Sequence, residues 1–335
     1  MGAYSTLLGV GHTFYSNLFV TLPVPKGSLR GQTVIVTGGN TGLGFETAKH
    51  CILLGAESII LAVRTVSKGE AAKQELQDLP KEARQAIEVW ELDLDSYDSV
   101  EKFANRASQL GRLDAILENA GISMDKFSKS EEDERTITVN VVSTFLLAFL
   151  LLPKMRDSAR KFNTIPRIVI VGSAGHFWAP LAEFESNAGI FATMNDKKIA
   201  NMKDRYFVSK LMVAFIVREM GERLHASKQQ PEVIVNNTNP SYCKSSLGLQ
   251  PGQVRKGPEA FAENYIARST EEGSRALVAG IMAGTESQGG YLSNCKVVSP
   301  APTVTSKHGQ KIQKKIWEEL MVKLETIQPG VSNNI

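Results

Sequence analysis

The chain has 335 residues, of which 42% are hydrophobic and 22% are charged, with 38 Lys and Arg against 35 Asp and Glu. This composition excludes a disordered chain and a collagen-like repeat, and a net charge of +3 without a long basic run predicts no nucleic-acid partner. Cys51, Cys243 and Cys295 lie far apart with no C-x-x-C pair, so we expect no disulfide framework, no metal site and a reducing, cytoplasmic location.

Residues 1–30 form an N-terminal arm that has no charged residue before Lys26. It lacks the basic start of a signal peptide, and Gly9, Gly11 and two prolines interrupt it. We predict that the arm packs on the domain or lines the substrate entrance, with peripheral membrane contact as the alternative. No transmembrane segment is predicted, because the longest apolar run, residues 141–153, is too short and ends at Pro153.

From residue 31 onward, short β-rich runs alternate with helical patterns. Continuous runs of Val and Ile without polar alternation are typical of strands covered on both faces, as in a parallel sheet with crossover helices. The sequence therefore predicts a doubly wound α/β Rossmann fold, with a central parallel sheet of about seven strands flanked by helices, in one domain over residues 31–330. Six strands are assigned from the sequence, at residues 33–37, 58–63, 87–92, 113–117, 167–171 and 233–237.

Two stretches, residues 174–205 and 244–267, break this alternation and are predicted to be substrate-loop insertions, since each follows a strand on the ligand-binding side of the sheet. The apolar side chains of the first insertion form either a buried cluster or one wall of a pocket for a bulky apolar substrate. These side chains are Phe177, Trp178, Leu181, Phe184, Phe191 and Met194. Near the C-terminus, apolar residues recur every four positions from Ile312 to Leu324, which predicts an amphipathic packing helix that ends before Pro329.

The strongest local signal is TGGNTGLG at residues 37–44, where a predicted strand enters a glycine-rich turn and a helix begins. Glycines there permit a tight turn and a close approach to a pyrophosphate, and the helix N-terminus directs free N–H groups at the phosphates. We therefore predict that this loop binds a dinucleotide. The loop residues assigned to the cofactor are Gly38, Asn40, Thr41, Gly42, Leu43 and Gly44.

The ends of the next three strands are expected to complete this cofactor site. After the second strand the chain has Arg64 and no carboxylate, and a guanidinium in that place suits the 2′-phosphate of NADP(H). Asp93, followed by Leu94, either holds the adenine amino group or caps the following helix. The fourth strand leads into a small turn that can lie flat against the cofactor, formed by Asn119, Ala120 and Gly121.

Tyr206 and Lys210 form a Y-x-x-x-K pair, which a helix would place on one face. Ser173 directly follows the fifth strand, and Asn140 lies within a predicted helix. A serine-hydrolase elbow is excluded at Ser173, because that motif needs glycine two positions earlier and Val171 stands there.

With T-G-x-x-x-G-x-G, N-A-G and Y-x-x-x-K in this order, the chain resembles the short-chain dehydrogenase/reductase family over about residues 29–329. It is most similar to the retinol-dehydrogenase-like branch and to fungal members found in secondary-metabolite pathways. The resemblance implies catalytic roles for four residues, Asn140, Ser173, Tyr206 and Lys210. It also implies cofactor contacts for the last two and for Pro240 and Ser245. One departure is Ser241, which replaces the usual glycine after Pro240 and is expected to tilt the loop or narrow the site.

The leading hypothesis is an NADP-dependent ketoreductase or alcohol dehydrogenase that acts on a bulky apolar small molecule. Tyr206 would give a proton to the carbonyl oxygen, Lys210 would lower the pKa of that phenol, and Ser173 would hold the oxygen. Asn140 would anchor a water that passes protons to Lys210. Two alternatives are a C=C reductase on the same fold and a non-catalytic dinucleotide-binding interaction protein. The apolar helix at residues 141–152, which relatives use to form dimers, is either a homodimer interface or a buried core helix.

Overall fold

The computed structural model describes residues 2–79, 86–249 and 253–335. Within these residues, eight strands form one sheet in the order β3-β2-β1-β4-β7-β8-β9-β10, and a two-residue hairpin, β5 and β6, stands apart. The strands are β1 (Thr33–Thr37), β2 (Ser58–Val63), β3 (Ala86–Glu91), β4 (Ala115–Glu118), β5 (Lys129–Ser130), β6 (Asp133–Glu134), β7 (Arg167–Val171), β8 (Ile234–Asn239), β9 (Tyr291–Ser293) and β10 (Lys296–Val298).

Helices connect these strands and cover both faces of the sheet. They are α1 (Gly2–Phe19), α2 (Gly42–Leu53), α3 (Val66–Gln77), α4 (Tyr97–Ser108), α5 (Arg135–Ile137), α6 (Thr144–Phe162), α7 (Ile190–Met194), α8 (Arg205–Ala226), α9 (Gly257–Tyr265), α10 (Thr270–Met282), α11 (Pro302–Thr305) and α12 (Lys307–Ile327). A π-helical stretch, Thr138–Ser143, joins α5 to α6. Short 3-10 turns occupy Ala174–Phe177, Ala182–Phe184, Thr285–Ser287 and Val331–Asn334.

The predicted doubly wound fold is confirmed. Seven of the eight strands pair in parallel, and β10 adds an antiparallel edge that the sequence did not indicate. All five residues of β1 are buried, because α2, α3 and α10 cover one face of the sheet and α4, α6 and α8 cover the other. Parallel strands send their carboxyl ends to one edge of the sheet, so the loops after β1, β2, β3, β4, β7 and β8 all open there.

Element boundaries differ from the sequence prediction by one or two residues. The fourth strand begins at Ala115 rather than residue 113, and the sixth predicted strand extends to Asn239. Ser96 caps α4, as expected, by accepting a hydrogen bond from the backbone N–H of Ser99 at 3.3 Å. The predicted C-terminal helix is confirmed as α12, which begins earlier than its apolar pattern, at Lys307.

The apolar helix near residues 141–152 is a core helix of this fold. The helical run Arg135–Phe162 is long and apolar enough to cross a membrane, but 89% of its most apolar window is buried inside the protein. The C-terminal helix contributes to that burial, since the Trp317 ring of α12 lies 5.8 Å from the Phe149 ring of α6. The chain itself therefore covers the helix that the sequence left open as a dimer interface or a core element.

Candidate active site

The glycine-rich loop after β1 forms a cradle with no room for side chains. Gly38 and Gly42 have φ angles of +65° and +58°, which glycine adopts without strain. A Cβ on Gly44 would lie 2.5 Å from the Gly38 carbonyl oxygen and 2.6 Å from the amide nitrogen of Asn119. The loop and the turn after β4 therefore touch directly, and both glycine conformation and glycine size are required.

Thr37 holds these two loops together, a role that the sequence did not indicate. Its hydroxyl oxygen accepts hydrogen bonds from the backbone N–H groups of Asn119 and Ala120, both at 2.9 Å. In return, the Asn119 side-chain amide donates to the Thr37 carbonyl at 2.9 Å. The predicted N-A-G turn is thereby fixed against the end of β1, where a dinucleotide would pass.

The N-terminus of α2 fits the phosphates of a dinucleotide. Its N-cap residue, Thr41, makes no side-chain capping bond, and the first turn of the helix carries no acidic residue. The first N–H groups of the helix are therefore left for an anion, which the positive end of the helix dipole would also favour. Asn40, Gly42 and Leu43 are partly buried beside this end, and Thr41 is exposed.

Arg64 lies where β2 ends, at the edge of the sheet that carries the predicted cofactor loops (the cofactor edge). Its side chain is 61% exposed, and one guanidinium nitrogen lies 3.8 Å from the Asp95 carboxylate. That carboxylate already accepts two short hydrogen bonds from Arg135, at 2.8 and 2.6 Å. These cations hold the pKa of Asp95 below its usual value. Sequence reasoning missed Asp95, because it follows the neighbouring strand.

Asp93 does not cap α4, since Ser96 does so. The Asp93 carboxylate accepts from the backbone N–H of Asp95 at 3.0 Å, and its own N–H donates to Ser99 at 2.9 Å. Leu94 is buried beside it. Of the two interpretations of Asp93, contact with the adenine therefore remains as the prediction.

Tyr206 and Lys210 lie one turn apart at the start of α8, where the loop after β7 meets them. The Lys210 ammonium nitrogen lies 5.8 Å from the centre of the Tyr206 ring and donates to the Val171 carbonyl at 2.8 Å. Burial lowers the pKa of Lys210 to about 8. Burial also raises the pKa of Tyr206, while a hydrogen bond with Ser173 acts in the opposite direction.

Asn140 lies in the π-helical stretch before α6, a distortion that is common at functional sites. Its side-chain oxygen accepts from the Ile122 N–H at 2.9 Å, and its amide donates to the Ile122 carbonyl at 2.9 Å and to the Ser209 hydroxyl at 3.1 Å. The Asn140 side chain thus joins the turn after β4 to the catalytic helix. Its amide group is occupied by these contacts, so a bound water would have to use the backbone here.

Ser173 is positioned by the loop after β7 and by β8. Its hydroxyl oxygen accepts from the Gly175 N–H at 3.0 Å, and the next N–H, that of Ala174, donates to the Asn239 side chain at 3.2 Å. The structure therefore brings Asn140, Ser173, Tyr206 and Lys210 to one place, at the edge where the glycine loop also lies.

Ser241 has the left-handed backbone conformation that glycine usually supplies, with φ of +69°. Its hydroxyl donates to the side-chain oxygen of Asn17 at 2.5 Å, and its N–H donates to Asn239 at 2.9 Å. The Asn17 amide also donates to the carbonyl groups of Tyr242 and Ile266, at 2.6 and 3.0 Å. This serine therefore connects the loop after β8 to the N-terminal helix, a role that the sequence did not indicate.

This contact predicts different outcomes for two substitutions at Ser241. Ser241→Gly relieves the left-handed strain but loses the Asn17 bond, so we expect unfolding free energy within about 1 kcal/mol of wild type. Ser241→Ala keeps the strain and loses the bond, and should cost about 1–2 kcal/mol. For Ser241→Gly we expect an unchanged cofactor KM and altered KM values for bulky substrates, because α1 is held less firmly. Denaturant unfolding and steady-state kinetics check this, and identical constants in all three proteins would contradict it.

Pro240 is buried and Ser245 is partly buried in the same loop region. The Ser245 hydroxyl accepts weakly from the Leu247 N–H at 3.4 Å, and its carbonyl accepts from Arg255 at 2.6 Å. Both predicted cofactor contacts thus lie on the segment that follows β8, at the cofactor edge of the sheet.

Two aromatic side chains pack in sequence beside Tyr206. The Trp178 ring lies 5.4 Å from the Phe207 ring, which in turn lies 6.0 Å from the Tyr206 ring. Of the six apolar side chains assigned to this cluster from the sequence, only Trp178 and Leu181 remain partly exposed. The buried members are Phe177, Phe184, Phe191 and Met194. The buried-cluster interpretation therefore holds for four of the six side chains, and the pocket wall stays a prediction for Trp178, with Phe207 beside it as a residue that sequence reasoning missed.

A buried ion cluster fixes the residue before the catalytic tyrosine. The Arg205 side chain is fully buried, and its guanidinium lies 2.8 Å from Glu183 and 3.4 Å from Glu134. Burial raises the pKa of Glu134, which the nearby Arg205 opposes. This cluster joins the first insertion and the β5–β6 hairpin to the first turn of α8, and thereby positions Tyr206.

Residues 2–79, 86–249 and 253–335 contain no cluster of potential metal ligands. No group of three or more His, Cys, Asp or Glu side chains is placed there to hold a metal ion.

Comparison with known proteins gives the family. The short chain dehydrogenase family matches residues 32–180. The chain is 44% identical over 324 residues to the short chain dehydrogenase/reductase dmxR8 of Cryptosporiopsis sp., covering 96% of this chain and 98% of that protein. It is 39% identical over 321 residues to the short-chain dehydrogenase anuD of Penicillium roqueforti, covering 95% of this chain and 84% of that protein.

A solved short chain dehydrogenase from Shigella flexneri shares the fold, with a TM-score of 0.58 over 83% of this chain and 96% of that chain at 19% identity. The resemblance predicted from the sequence, including that to fungal members, is confirmed. The chain therefore belongs to the short-chain dehydrogenase/reductase family, whose members are oxidoreductases that bind a nicotinamide dinucleotide.

Proposed function

We propose that the protein is an NADP(H)-dependent oxidoreductase that interconverts a carbonyl and an alcohol on a bulky apolar small molecule. The observation that carries the proposal is the meeting of Tyr206, Lys210 and Ser173 beside the glycine cradle. The aromatic pair formed by Trp178 and Phe207 supports a large apolar substrate. The similarity to fungal enzymes motivates a further proposal, that the substrate belongs to secondary metabolism.

In the direction of reduction, the Tyr206 hydroxyl gives its proton to the substrate oxygen. Its raised pKa keeps the phenol protonated near neutral pH, and the positive charge of Lys210 makes the resulting phenolate less costly. Ser173, which hydrogen-bonds to Tyr206, holds the substrate oxygen in line for that transfer. NADPH, when bound in the cradle, supplies the hydride.

Asn140 acts as a positioning residue in this scheme. By hydrogen-bonding to Ile122 and Ser209, it keeps the turn after β4, with Gly121, close to Lys210.

The three cysteines of the chain, two of them buried, are free thiols. We therefore propose a reducing compartment such as the cytosol. We also propose that residues 31–330 form one catalytic domain, which carries the N-terminal arm.

A substrate screen with product identification tests the proposed reaction. Bulky ketones, aldehydes and the matching alcohols are incubated with NADPH or NADH, and cofactor oxidation is followed by absorbance. A new alcohol supports the proposal, a saturated carbon pair supports the C=C reductase, and tight cofactor binding without turnover of any compound supports a non-catalytic binder.

We expect Arg64→Ala to raise the NADPH KM by about 10–100-fold and to leave the NADH KM almost unchanged. The guanidinium is exposed and only weakly paired with Asp95, so it is free to make charge-assisted bonds to a 2′-phosphate, each worth about 1.5–3 kcal/mol. The NADH constant is the internal control. Equal use of both cofactors by the unaltered protein would show that Arg64 serves another purpose.

The pH dependence of reduction follows from Lys210. Its pKa is lowered to about 8, so the ammonium is charged below that pH and neutral above it. We therefore expect kcat/KM for NADPH to be constant near neutrality and to fall as the pH rises through about 8, since this ratio reports the free enzyme. In Lys210→Arg, whose side chain stays charged, the fall should disappear whatever the residual rate. A fall at the same pH in both proteins would contradict this assignment.

A further inference from the structure

Helix α1 has its polar and apolar faces reversed relative to a helix that packs on a protein core. The face that contacts the rest of the protein carries small or polar side chains. Ser5 and Ser16 are 2% and 0% exposed, and Gly9 is buried between them. The opposite face is apolar and open. Its large side chains, from 39% to 76% exposed, are Tyr4, Leu7, Leu8, Val10, Phe14, Tyr15, Leu18 and Phe19.

Specific contacts fix this orientation. The Ser5 hydroxyl donates to the Phe177 carbonyl at 2.8 Å, and the Asn294 amide donates to the Ser16 hydroxyl at 2.8 Å. A Cβ on Gly9 would lie 2.5 Å from the Cβ of Phe177, so the helix backbone rests directly on the loop after β7. Glycine and serine are needed at this contact. If the helix rotated to turn its apolar face inward, the contacts of Ser5, Gly9 and Ser16 would be lost.

The apolar face is too broad for a single protein partner. At 100° per residue, these eight positions span an arc of about 180°, and among residues 4–19 Gly11 is the one position in that arc without a large side chain. Two helices that pack against each other share a much narrower stripe. An apolar face this broad can be contacted over its whole width by lipid, when the helix lies at the boundary between headgroups and acyl chains of a bilayer.

Charge and aromatic content agree with a lipid surface. Residues 1–25 contain no Asp, Glu, Lys or Arg, and burial lowers the pKa of His12 on the inner side. A second apolar projection stands at the C-terminal end of α1, where Asn17 bonds the Ile266 carbonyl. It is formed by Phe261 and Tyr265 of α9, 60% and 71% exposed. Lys244 and Lys256 near this region are exposed, against one exposed carboxylate, Glu259, because Glu263 pairs with Arg255. The region thus keeps a net positive charge that complements anionic headgroups.

We propose that α1 and the exposed side of α9 form a docking surface for an anionic lipid bilayer, with α1 lying in the plane of the membrane. The surface lies beside the active site, since the inner face of α1 contacts Phe177 and the Asn17 side chain holds Ser241. An apolar substrate would then enter from the bilayer. That last step rests on the proposed function, whereas lipid docking does not.

Flotation of the full chain with vesicles tests the proposal, using phosphatidylcholine with and without phosphatidylserine. The key variant is Leu7→Asp, and the matched control is Val322→Asp on α12, since these side chains are 71% and 69% exposed. We expect the wild type and the control to float, and Leu7→Asp to bind at least about tenfold more weakly. Lys244→Gln with Lys256→Gln should weaken binding severalfold, and only when phosphatidylserine is present.

Three results would overturn the proposal. The first is that the wild type floats with neither kind of vesicle, and the second is an equal loss of binding in Leu7→Asp and Val322→Asp. The third is a dimer in lipid-free buffer that Leu7→Asp converts to a monomer, which would assign the face to a second copy of the chain. Circular dichroism and unfolding temperature verify that each variant is folded. Because flotation does not depend on turnover, loss of the proposed enzymatic activity would leave this result standing.

Discussion

Tyr206→Phe is expected to lower kcat by about 10²–10⁴-fold while cofactor affinity stays nearly unchanged. The substitution removes only the hydroxyl that gives a proton to the substrate oxygen, and the ring keeps its packing against Phe207 at 6.0 Å. Single-turnover kinetics and fluorescence titration with NADPH measure the two quantities separately.

Tyr265→Phe is the matched control, because it removes the same atom from a side chain that is 71% exposed on α9. We expect its kinetic constants to equal those of the wild type. Activity retained in Tyr206→Phe, or an equal loss in both variants, would contradict the assignment of Tyr206 as the proton donor.

Arg205→Met is expected to cost about 3–5 kcal/mol of unfolding free energy. The guanidinium is completely buried between Glu134 and Glu183, and its removal leaves buried carboxyl groups without their cation. Any folded fraction should also show a reduced kcat, because Arg205 fixes the backbone directly before Tyr206. Urea unfolding followed by intrinsic fluorescence checks the stability.

Lys102→Met is the matched control, because it also removes a cation from an ion pair, but at an exposed site. Lys102 pairs with Asp98 at 2.6 Å, but both side chains are more than 70% exposed, so the substitution should leave the urea midpoint close to that of the wild type. If Arg205→Met unfolds at the same urea concentration as Lys102→Met, the buried cluster does not stabilise the catalytic helix as described.

The fold was predictable because β1, β2, β4 and β7 are buried on both faces and appear in the sequence as largely apolar runs. The cofactor edge was predictable for the same reason, since each motif directly follows such a strand. β9 and β10 were not, because three residues are too few to show a pattern. The contact of Arg64 with Asp95 joins the ends of neighbouring strands, so spacing along the chain gives no indication of it.

The N-terminal helix is the largest part of the site that sequence reasoning did not foresee as a helix. Its large apolar residues face outward, whereas Ser5, Gly9 and Ser16 face inward, so the usual rule for assigning a buried face fails. The role of Ser241 was also hidden. Its departure from glycine had suggested a changed pocket, whereas the hydroxyl holds Asn17 from a region more than 200 residues away.

Transfer of deuterium from NADPH labelled at the nicotinamide C4 position tests the central claim most directly. With a ketone selected in the substrate screen, the account predicts one deuterium on the carbinol carbon of the alcohol product, measured by mass spectrometry and NMR. Tyr206→Phe should lower the amount of this labelled alcohol by about 10²–10⁴-fold. Deuterium on a saturated carbon pair, or none in any product while NADPH remains bound, would contradict the account.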